Sequence, residues 1–290
     1  MKVLLTGCKG QLGRELERAA PPVADLTALD IDKLDITDAE AVQRCVGQLR
    51  PEWIINASAY TAVDRAEQEL QAAFAVNCDG VENLAIAAKN IGAKLLHVST
   101  DYVFDGTNCR PYQPADAPNP LSVYGRSKLA GEQVLRAALP ETHVIIRTAW
   151  LYSGHGANFL KTMLQLFAQR DEVSVVCDQV GTPSSAATLA GALWRAVERD
   201  VRGTFHWTDA GAASWYDFAV AIYEEASLAG LLQDTACRIL PVPTSQYPTP
   251  VPRPFYSVLD KTDTCEVLDM PPPHWRDALR ATLMDIAGQN

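Results

Sequence analysis

Tyr124 and Lys128 stand four residues apart in "VYGRSKLAG", residues 123–131. On a helix such a pair shares one face. A lysine ammonium beside a phenol favours the phenolate and draws its pKa downward. Bringing a tyrosine from about 10 to about 7 takes roughly 4 kcal/mol of differential interaction. One exposed pair cannot supply that; a semi-buried site with a second cation can. By itself the spacing also fits two surface residues.

The elements around the pair decide between these readings. Leu129, Ala130, Glu132, Gln133, Val134, Leu135, Arg136, Ala137 and Ala138 are good helix formers, so Tyr124 and Lys128 are expected on the first turns of a helix. Upstream, short apolar runs alternate with helical stretches. Strands are predicted at 2–5, 26–29, 53–55, 94–98 and 144–146. Helices are predicted at 11–20, 38–49 and within 62–91. Thr37 and Glu40 have the spacing of a capping box, and Pro51 follows that helix. The alternation predicts an α/β fold of the Rossmann type, a doubly wound parallel sheet covered on both faces. After Arg147 the rhythm is irregular. Helices are expected at 159–169, 188–198, 216–229 (with Ser214 as cap) and 275–286. Six prolines between 241 and 254 read either as a rigid connection or as the wall of a cleft. Residues 1–150 are expected to form a dinucleotide-binding domain. Residues 151–290 are expected to form a smaller substrate lobe, partly interleaved with the first.

Composition narrows the function classes. The chain has 290 residues, 48% hydrophobic and 21% charged, as in an ordinary globular protein. A net charge of −10 argues against a nucleic-acid partner, which requires a basic stripe. Seven cysteines, at 8, 45, 78, 109, 177, 237 and 265, contain no CxxC, so reduced thiols in a cytoplasmic protein are expected rather than a disulfide frame or zinc site. The N-terminal apolar run is too short for a signal peptide. No window approaches 18 apolar residues, so no membrane span is expected.

"LLTGCKGQLG" joins the first strand to the first helix. Gly7, Gly10 and Gly13, with Gln11 and Leu12 between the last two, match a loop that lets backbone approach a pyrophosphate. The helix start supplies free N–H groups and a positive dipole end. Glycine spacing is weak evidence alone, but here a strand precedes it and a helix follows, which is the context a dinucleotide site requires. Asp30, at the end of the second strand, is positioned to accept the adenosine ribose hydroxyls and to repel a 2′-phosphate, which leans toward NADH. The neighbouring Lys9 and Lys33 soften that preference, and a solvated loop aspartate is the competing reading. Asp35 and Ile36 are candidates to lie over the adenine. Ala57, Ala59, Tyr60 and Thr61, within "NASAYT", lie at a strand's C-terminal end, where such sheets bind ligands. The fourth strand ends in "HVSTDYVFDG", which brings Thr100 and Asp101 to the same edge. Threonine, tyrosine and lysine beside a dinucleotide form an apparatus for reducing a carbonyl. The hydroxyl orients it, Tyr124 donates the proton, and Lys128 tunes Tyr124 and holds the nicotinamide ribose. The oxidised nicotinamide ring would be the second cation.

With "STDYVFDG", "YGRSKLAGE", "RTAWLY", "DQVGTPS", "SWYDFA" and "RPFYSVLD" on the page, the chain resembles the extended short-chain dehydrogenases, and among them the dTDP-4-dehydrorhamnose reductase family, nearly end to end. The resemblance implies hydride transfer from NADPH or NADH to C4 of a dTDP-linked 4-keto-6-deoxy-L-sugar. The product would be dTDP-L-rhamnose for cell-surface polysaccharide. It also implies Tyr124 as proton donor, Lys128 as its partner and Thr100 as the tuning hydroxyl. Asp101 and Trp150 would touch the sugar, and Gln179 and Arg253 would hold the nucleotide diphosphate. Competing readings make Trp150 plain core, Arg253 a surface ion-pair partner and Asp101 a loop cap. Ser58 and Ser184 replace the family's usual alanine and threonine, small changes that leave the chemistry intact. Some members build a metal-bridged dimer from glutamates. Glu15 is present but residues 184–190 offer no acidic partner, so no bound metal is expected, while a homodimer stays open. Two other functions compete. One is a non-catalytic regulatory subunit like that of methionine adenosyltransferase, which an intact Thr100, Tyr124 and Lys128 disfavours. The other is an epimerase or dehydratase, and the dehydratase is disfavoured by Asp101-Tyr102 after Thr100 in place of an Asp-Glu pair.

Overall fold

A computed structural model describes residues 1–232 and 236–288; the remaining five residues, all within the 151–290 span, lie outside the described residues. Five strands of the first half are β1 (Lys2–Thr6), β2 (Asp25–Leu29), β3 (Trp53–Asn56), β4 (Lys94–Thr100) and β5 (His143–Thr148). They pair in parallel with a sixth strand, Gly203–His206, in the order Gly203–His206, β5, β4, β3, β1, β2. The doubly wound parallel sheet expected from the alternation is therefore present, and its edge strand comes from the second half of the chain. The chain leaves β1 for β2 and returns to β3 on the other side of β1. A crevice therefore opens between the carboxyl ends of β1 and β3, where such sheets receive ligands.

Both faces of the sheet are covered, which is why its strands read as continuous apolar runs rather than alternating ones. Val3, Leu5, Ile55, Leu96 and Ile146 pack toward α1 (Gln11–Arg18), joined by Leu189, Leu193 and Trp194 from the later helix Ala186–Glu198. Leu4, Ile54, Leu95 and Ile145 face the opposite way, onto α2 (Ala39–Leu49), with the helices of the 62–91 stretch and of the Tyr124 segment beyond it. The latter are α3 (Val63–Ala66), α4 (Leu70–Phe74), α5 (Gly80–Ile91) and α6 (Val123–Ala138).

One expectation is corrected locally. The capping box at Thr37 and Glu40 does not form. Asp38 is the N-cap of α2 and accepts from the Ala41 N–H at 2.9 Å, while the Thr37 hydroxyl donates to Asp35. Asp38 wins because it directly precedes the first helical residue and its carboxylate reaches the third N–H beyond it. The helical stretch expected within 62–91 is present, unbroken over 70–91 after the short α3, but it is not uniformly α-helical. Between α4 and α5 runs a π-helical turn, Ala75–Asp79, which turns Asn77 inward. Asn77 accepts from the Tyr60 N–H and donates to the Tyr60 carbonyl and the Ser127 hydroxyl, fastening the "NASAYT" loop to α6.

The second half packs its own core around Tyr152, Phe167, Phe218, Ile222 and Leu279. It includes α7 (Phe159–Gln169), α8 (Ala186–Glu198), α9 (Trp215–Leu228), α10 (Thr262–Leu268) and α11 (Trp275–Gly288). Ser214 caps α9 as expected, in a full capping box with Asp217. The proline-rich segment is a connection. Its first two prolines flank the end of a strand, Arg238–Val242, which pairs with Glu172–Val176, and Asp178 then ties down Thr244 through three hydrogen bonds. No described helix is long and apolar enough to cross a membrane.

Candidate active site

The glycine loop owes its shape to two contacts that only glycine permits. Gly7 sits at φ +76, where side chains are strained. A Cβ on Gly13 would lie 2.2 Å from the Gly7 carbonyl oxygen and 2.5 Å from Cys8 Cα, so the turn folds directly onto the first turn of α1. Gly10 is the N-cap of α1, and no side chain caps its first N–H groups. Those donors and the close-packed loop form a cradle for a phosphate-bearing ligand. Asp30 closes the loop from below: its carboxylate accepts the Lys9 backbone N–H at 2.7 Å and the Ile31 N–H at 2.8 Å. Lys9 Nζ, one of the cations near Asp30, pairs instead with Asp32 at 2.8 Å.

A cleft of about 630 Å³ runs from this loop across the carboxyl ends of β3, β4 and β5. Gly10, Gln11, Leu12, Ala57, Ala59, Thr61, Thr100, Asp101, Tyr124, Lys128 and Trp150 all line it. Gly7, Gly13 and Asp30 stand behind it as the frame of the loop. Asp35 spends its carboxylate on the Thr37 N–H and hydroxyl, and Ile36 is buried in the core beneath α5. The Tyr60 hydroxyl donates to Glu69 at 2.5 Å. Gln179 and Arg253 do not border the cleft. The Gln179 amide donates to Thr244, and Arg253 Nη2 is held by both oxygens of Asp64 at 2.8 Å. Arg253 Nη1 is buried without a partner, as is Asp101 Oδ2.

Local chemistry explains how α6 delivers its pair. Ser122 caps the helix by accepting the Gly125 N–H, so Tyr124 and Lys128 fall on its first two turns. One turn further, Glu132 is fully buried and accepts a two-pronged pair from Arg147 of β5, at 2.9 and 2.7 Å, and the Ser99 hydroxyl of β4 at 2.5 Å. Arg147 and its neighbours hold the Glu132 carboxyl below its usual pKa against burial, which pushes the other way. This buried fork clamps α6 to β4 and β5, and so fixes Tyr124 and Lys128 relative to Thr100.

The electrostatics differ from the expectation that lysine lowers the tyrosine. Burial pushes the Tyr124 phenol above its ordinary value; the Thr100 hydroxyl bond opposes this without overcoming it. Lys128 Nζ is turned instead to His97 Nε2 at 3.0 Å and the Val98 carbonyl at 2.7 Å, and burial draws its own pKa from 10.5 to about 7, with Glu132 opposing. Both charged forms lose water here, and that desolvation dominates each shift. Asp101 is likewise raised by burial to about 6, and its neighbour Tyr102, which meets Tyr124 edge-on at 5.5 Å, to about 12.

Trp150 does not offer a free ring. It stacks on Trp215 at 3.6 Å, and its backbone sits at φ +47, a strained conformation for a non-glycine residue. The far wall, Gly156–Asn158, was not anticipated from sequence; Asn158 and Ser153 both donate to the Gln11 amide oxygen and join the two halves of the chain there. His97 and Asn56 were also missed as site residues. A histidine inside an otherwise apolar strand was the available signal, because a buried polar group demands a partner. Among the described residues no cluster of three or more His, Cys, Asp or Glu could hold a metal ion.

A doubly wound parallel sheet, a glycine loop at its switch point and a threonine, tyrosine and lysine in one cleft define an extended short-chain dehydrogenase/reductase. The family model described as "RmlD substrate binding domain" matches residues 1–287, and the chain belongs to that family, the family of the dTDP-4-dehydrorhamnose reductases. It is 41% identical to the dTDP-4-dehydrorhamnose reductase of Salmonella typhimurium, over 99% of this chain and 98% of the relative. The crystal structure of a dTDP-4-dehydrorhamnose reductase from Clostridium acetobutylicum superposes with a TM-score of 0.92 at 40% identity, covering 98% of each chain. That of the Bacillus anthracis reductase, in complex with NADP, also gives 0.92, at 36% identity over 98% of this chain and 99% of the other.

Proposed function

We propose that the protein reduces the C4 keto group of dTDP-4-dehydro-L-rhamnose to dTDP-L-rhamnose, with NADPH or NADH as reductant. The observation that carries this is that Thr100, Tyr124 and Lys128 border one cleft together with Gly10, Gln11 and Leu12 of the glycine loop. The uncapped start of α1 and the tight Gly7–Gly13 turn suit a dinucleotide pyrophosphate. The bound nicotinamide would supply the hydride. Thr100 orients the carbonyl, and Tyr124, its pKa raised, stays protonated as the acid that delivers a proton to the C4 oxygen. Lys128 serves the ribose hydroxyls and Tyr124. Asp101, its carboxyl raised by burial to about 6 and so mostly ionised at neutral pH, is suited to accept a hydrogen bond from a sugar hydroxyl. Arg253, with its buried unpartnered Nη1, is suited to the diphosphate once it releases Asp64, and Gln179 belongs to the same wall. Asp30 is assigned to the adenosine ribose, with Asp35, Ile36 and Tyr60 supporting that end. Residues 1–150 then act as the dinucleotide domain and 151–290 as the sugar lobe. A homodimer and a cytoplasmic location belong to the same proposal.

The test supplies dTDP-4-keto-6-deoxyglucose, a sugar epimerase and NADPH or NADH, and follows the reduced-nicotinamide absorbance. Loss of the band that depends on all components supports the reading. No oxidation of either cofactor, with tight binding to a methionine adenosyltransferase, would replace it with the regulatory one.

A further inference from the structure

Behind Lys128 lies a chain of hydrogen bonds whose direction is set at its far end. The backbone N–H of Ser58 can only donate, and the atom that receives it at 3.0 Å is Asn56 Oδ1. The same oxygen accepts from the Thr6 hydroxyl at 2.9 Å. The amide nitrogen of Asn56, a donor only, therefore faces His97 Nδ1 at 3.1 Å. That ring nitrogen must be the acceptor. The ring is neutral, because burial holds the His97 pKa well below its ordinary value, and a neutral imidazole carries one proton. The proton is thus on Nε2, and Nε2 lies 3.0 Å from Lys128 Nζ. An ammonium has three donors and no lone pair, so two donors would meet. An amine accepts the His97 proton and still donates to the Val98 carbonyl at 2.7 Å. Thr6, Asn56, His97 and Lys128 are all 2% exposed or less, so no water relieves a mismatch.

We infer that Asn56 and His97 are positioning residues for Lys128: by a fixed sequence of donors they make its nitrogen an acceptor, so that Lys128 rests as a neutral amine and must release His97 to become an ammonium. The reaction would then draw on a lysine whose protonation is coupled to turning away from β4. The inference rests on the reading of Lys128 as the working partner of Tyr124, but the donor sequence itself needs neither substrate nor cofactor. The titratable groups around Lys128 are His97, Asp101 and Tyr102 from β4 and the turn beyond it, Tyr124 and Glu132 from its own helix, and Arg147 from β5. Of these, Glu132 is the one whose charge favours the ammonium, and it is already paired with Arg147 and Arg136.

The test is nitrogen NMR of the His97 ring in the full-length 15N-labelled protein at pH 8, with an Asn56→Asp variant beside it. In the wild type, His97 is expected to carry its proton on Nε2, and Lys128 Nζ to titrate near neutrality. A proton on Nδ1, or a Lys128 midpoint above pH 9, would overturn the inference. Asn56→Asp keeps the shape but makes both side-chain oxygens acceptors, so His97 should move its proton to Nδ1 and donate there. Lys128 then becomes the donor, and its midpoint should rise by about one pH unit or more, a tenfold gain in proton affinity. Added negative charge alone would raise that midpoint too; the exchange of ring tautomer is what charge alone does not produce. A variant whose ring keeps the Nε2 proton would refute the donor sequence. Should Asn56→Asp not fold, the wild-type tautomer decides alone. A protein that shows the Nε2 proton but oxidises no cofactor with the keto sugar would sink the reductase reading and leave this one standing.

Discussion

Replacing Lys128 by methionine should make the protein more sensitive to nothing and less sensitive to pH in one defined window. Lys128 is 2% exposed and titrates near 7 when folded, against an ordinary 10.5. The sign follows from proton counts. Between those two values the unfolded chain binds the proton and the folded protein does not, so stability rises with pH. The cost of burying this lysine is fully present below about pH 7 and vanishes above its unfolded value. At about 1.4 kcal/mol per unit, the full cost is about 4–5 kcal/mol at pH 6, and it falls to about 2 kcal/mol at pH 9. Methionine fills a similar volume without a charge, but leaves the His97 N–H and the Val98 carbonyl unpaired, at about 1–3 kcal/mol each. The absolute stability change is therefore small. The difference between wild type and Lys128→Met should nevertheless shift by about 2–3 kcal/mol between pH 6 and pH 9, in favour of the wild type as pH rises. Urea unfolding of both proteins at several pH values measures it, and titrating groups remote from Lys128 cancel in the difference. Parallel pH dependences would show that Lys128 keeps its proton in the folded protein, and would remove both the neutral amine and the account of why Tyr124 is not lowered.

Tyr124→Phe should cost about 10²–10⁴ in turnover with little change in cofactor affinity, since only the acid is lost; half the wild-type rate in the coupled absorbance assay would end its assignment. Asp30→Ala should weaken NADH while sparing or improving NADPH, as read by fluorescence titration of each. Equal weakening would show that Asp30 serves the loop alone, through the Lys9 and Ile31 N–H groups. Gly13→Ala must push its Cβ against the Gly7 carbonyl, so dinucleotide binding should fall more than tenfold or the protein should unfold at lower temperature; a variant normal in both calorimetry and titration would contradict the packing. Arg147→Met removes the two-pronged partner of the buried Glu132 carboxylate, leaving it Arg136 and Ser99, and should destabilise by up to about 3–5 kcal/mol in denaturant melts, whereas an unchanged midpoint would mean that the clamp is not closed.

What the sequence determined by itself is local. The strand–turn–helix of "LLTGCKGQLG", the apolar runs of a sheet covered on both faces, the Ser214 cap and the shared face of Tyr124 and Lys128 each depend on a few neighbouring residues. For these, residue type and spacing are enough. What only the tertiary structure decided depends on groups far apart in the chain. His97 reaches Lys128 across 31 positions, Glu132 meets Arg147 across 15, and Arg253 pairs with Asp64 across 189. None of these distances leaves a periodic mark. The direction of the Tyr124 shift is of the same kind. Spacing supplied the lysine, which argues for a lowered phenol. Desolvation is the sum over everything packed around a site, and here it raises Tyr124 and discharges the lysine meant to lower it. Trp150 makes the same point: an indole near a cleft is written in the sequence, but the Trp215 ring that covers its face comes from 65 residues away and is brought there by the second core.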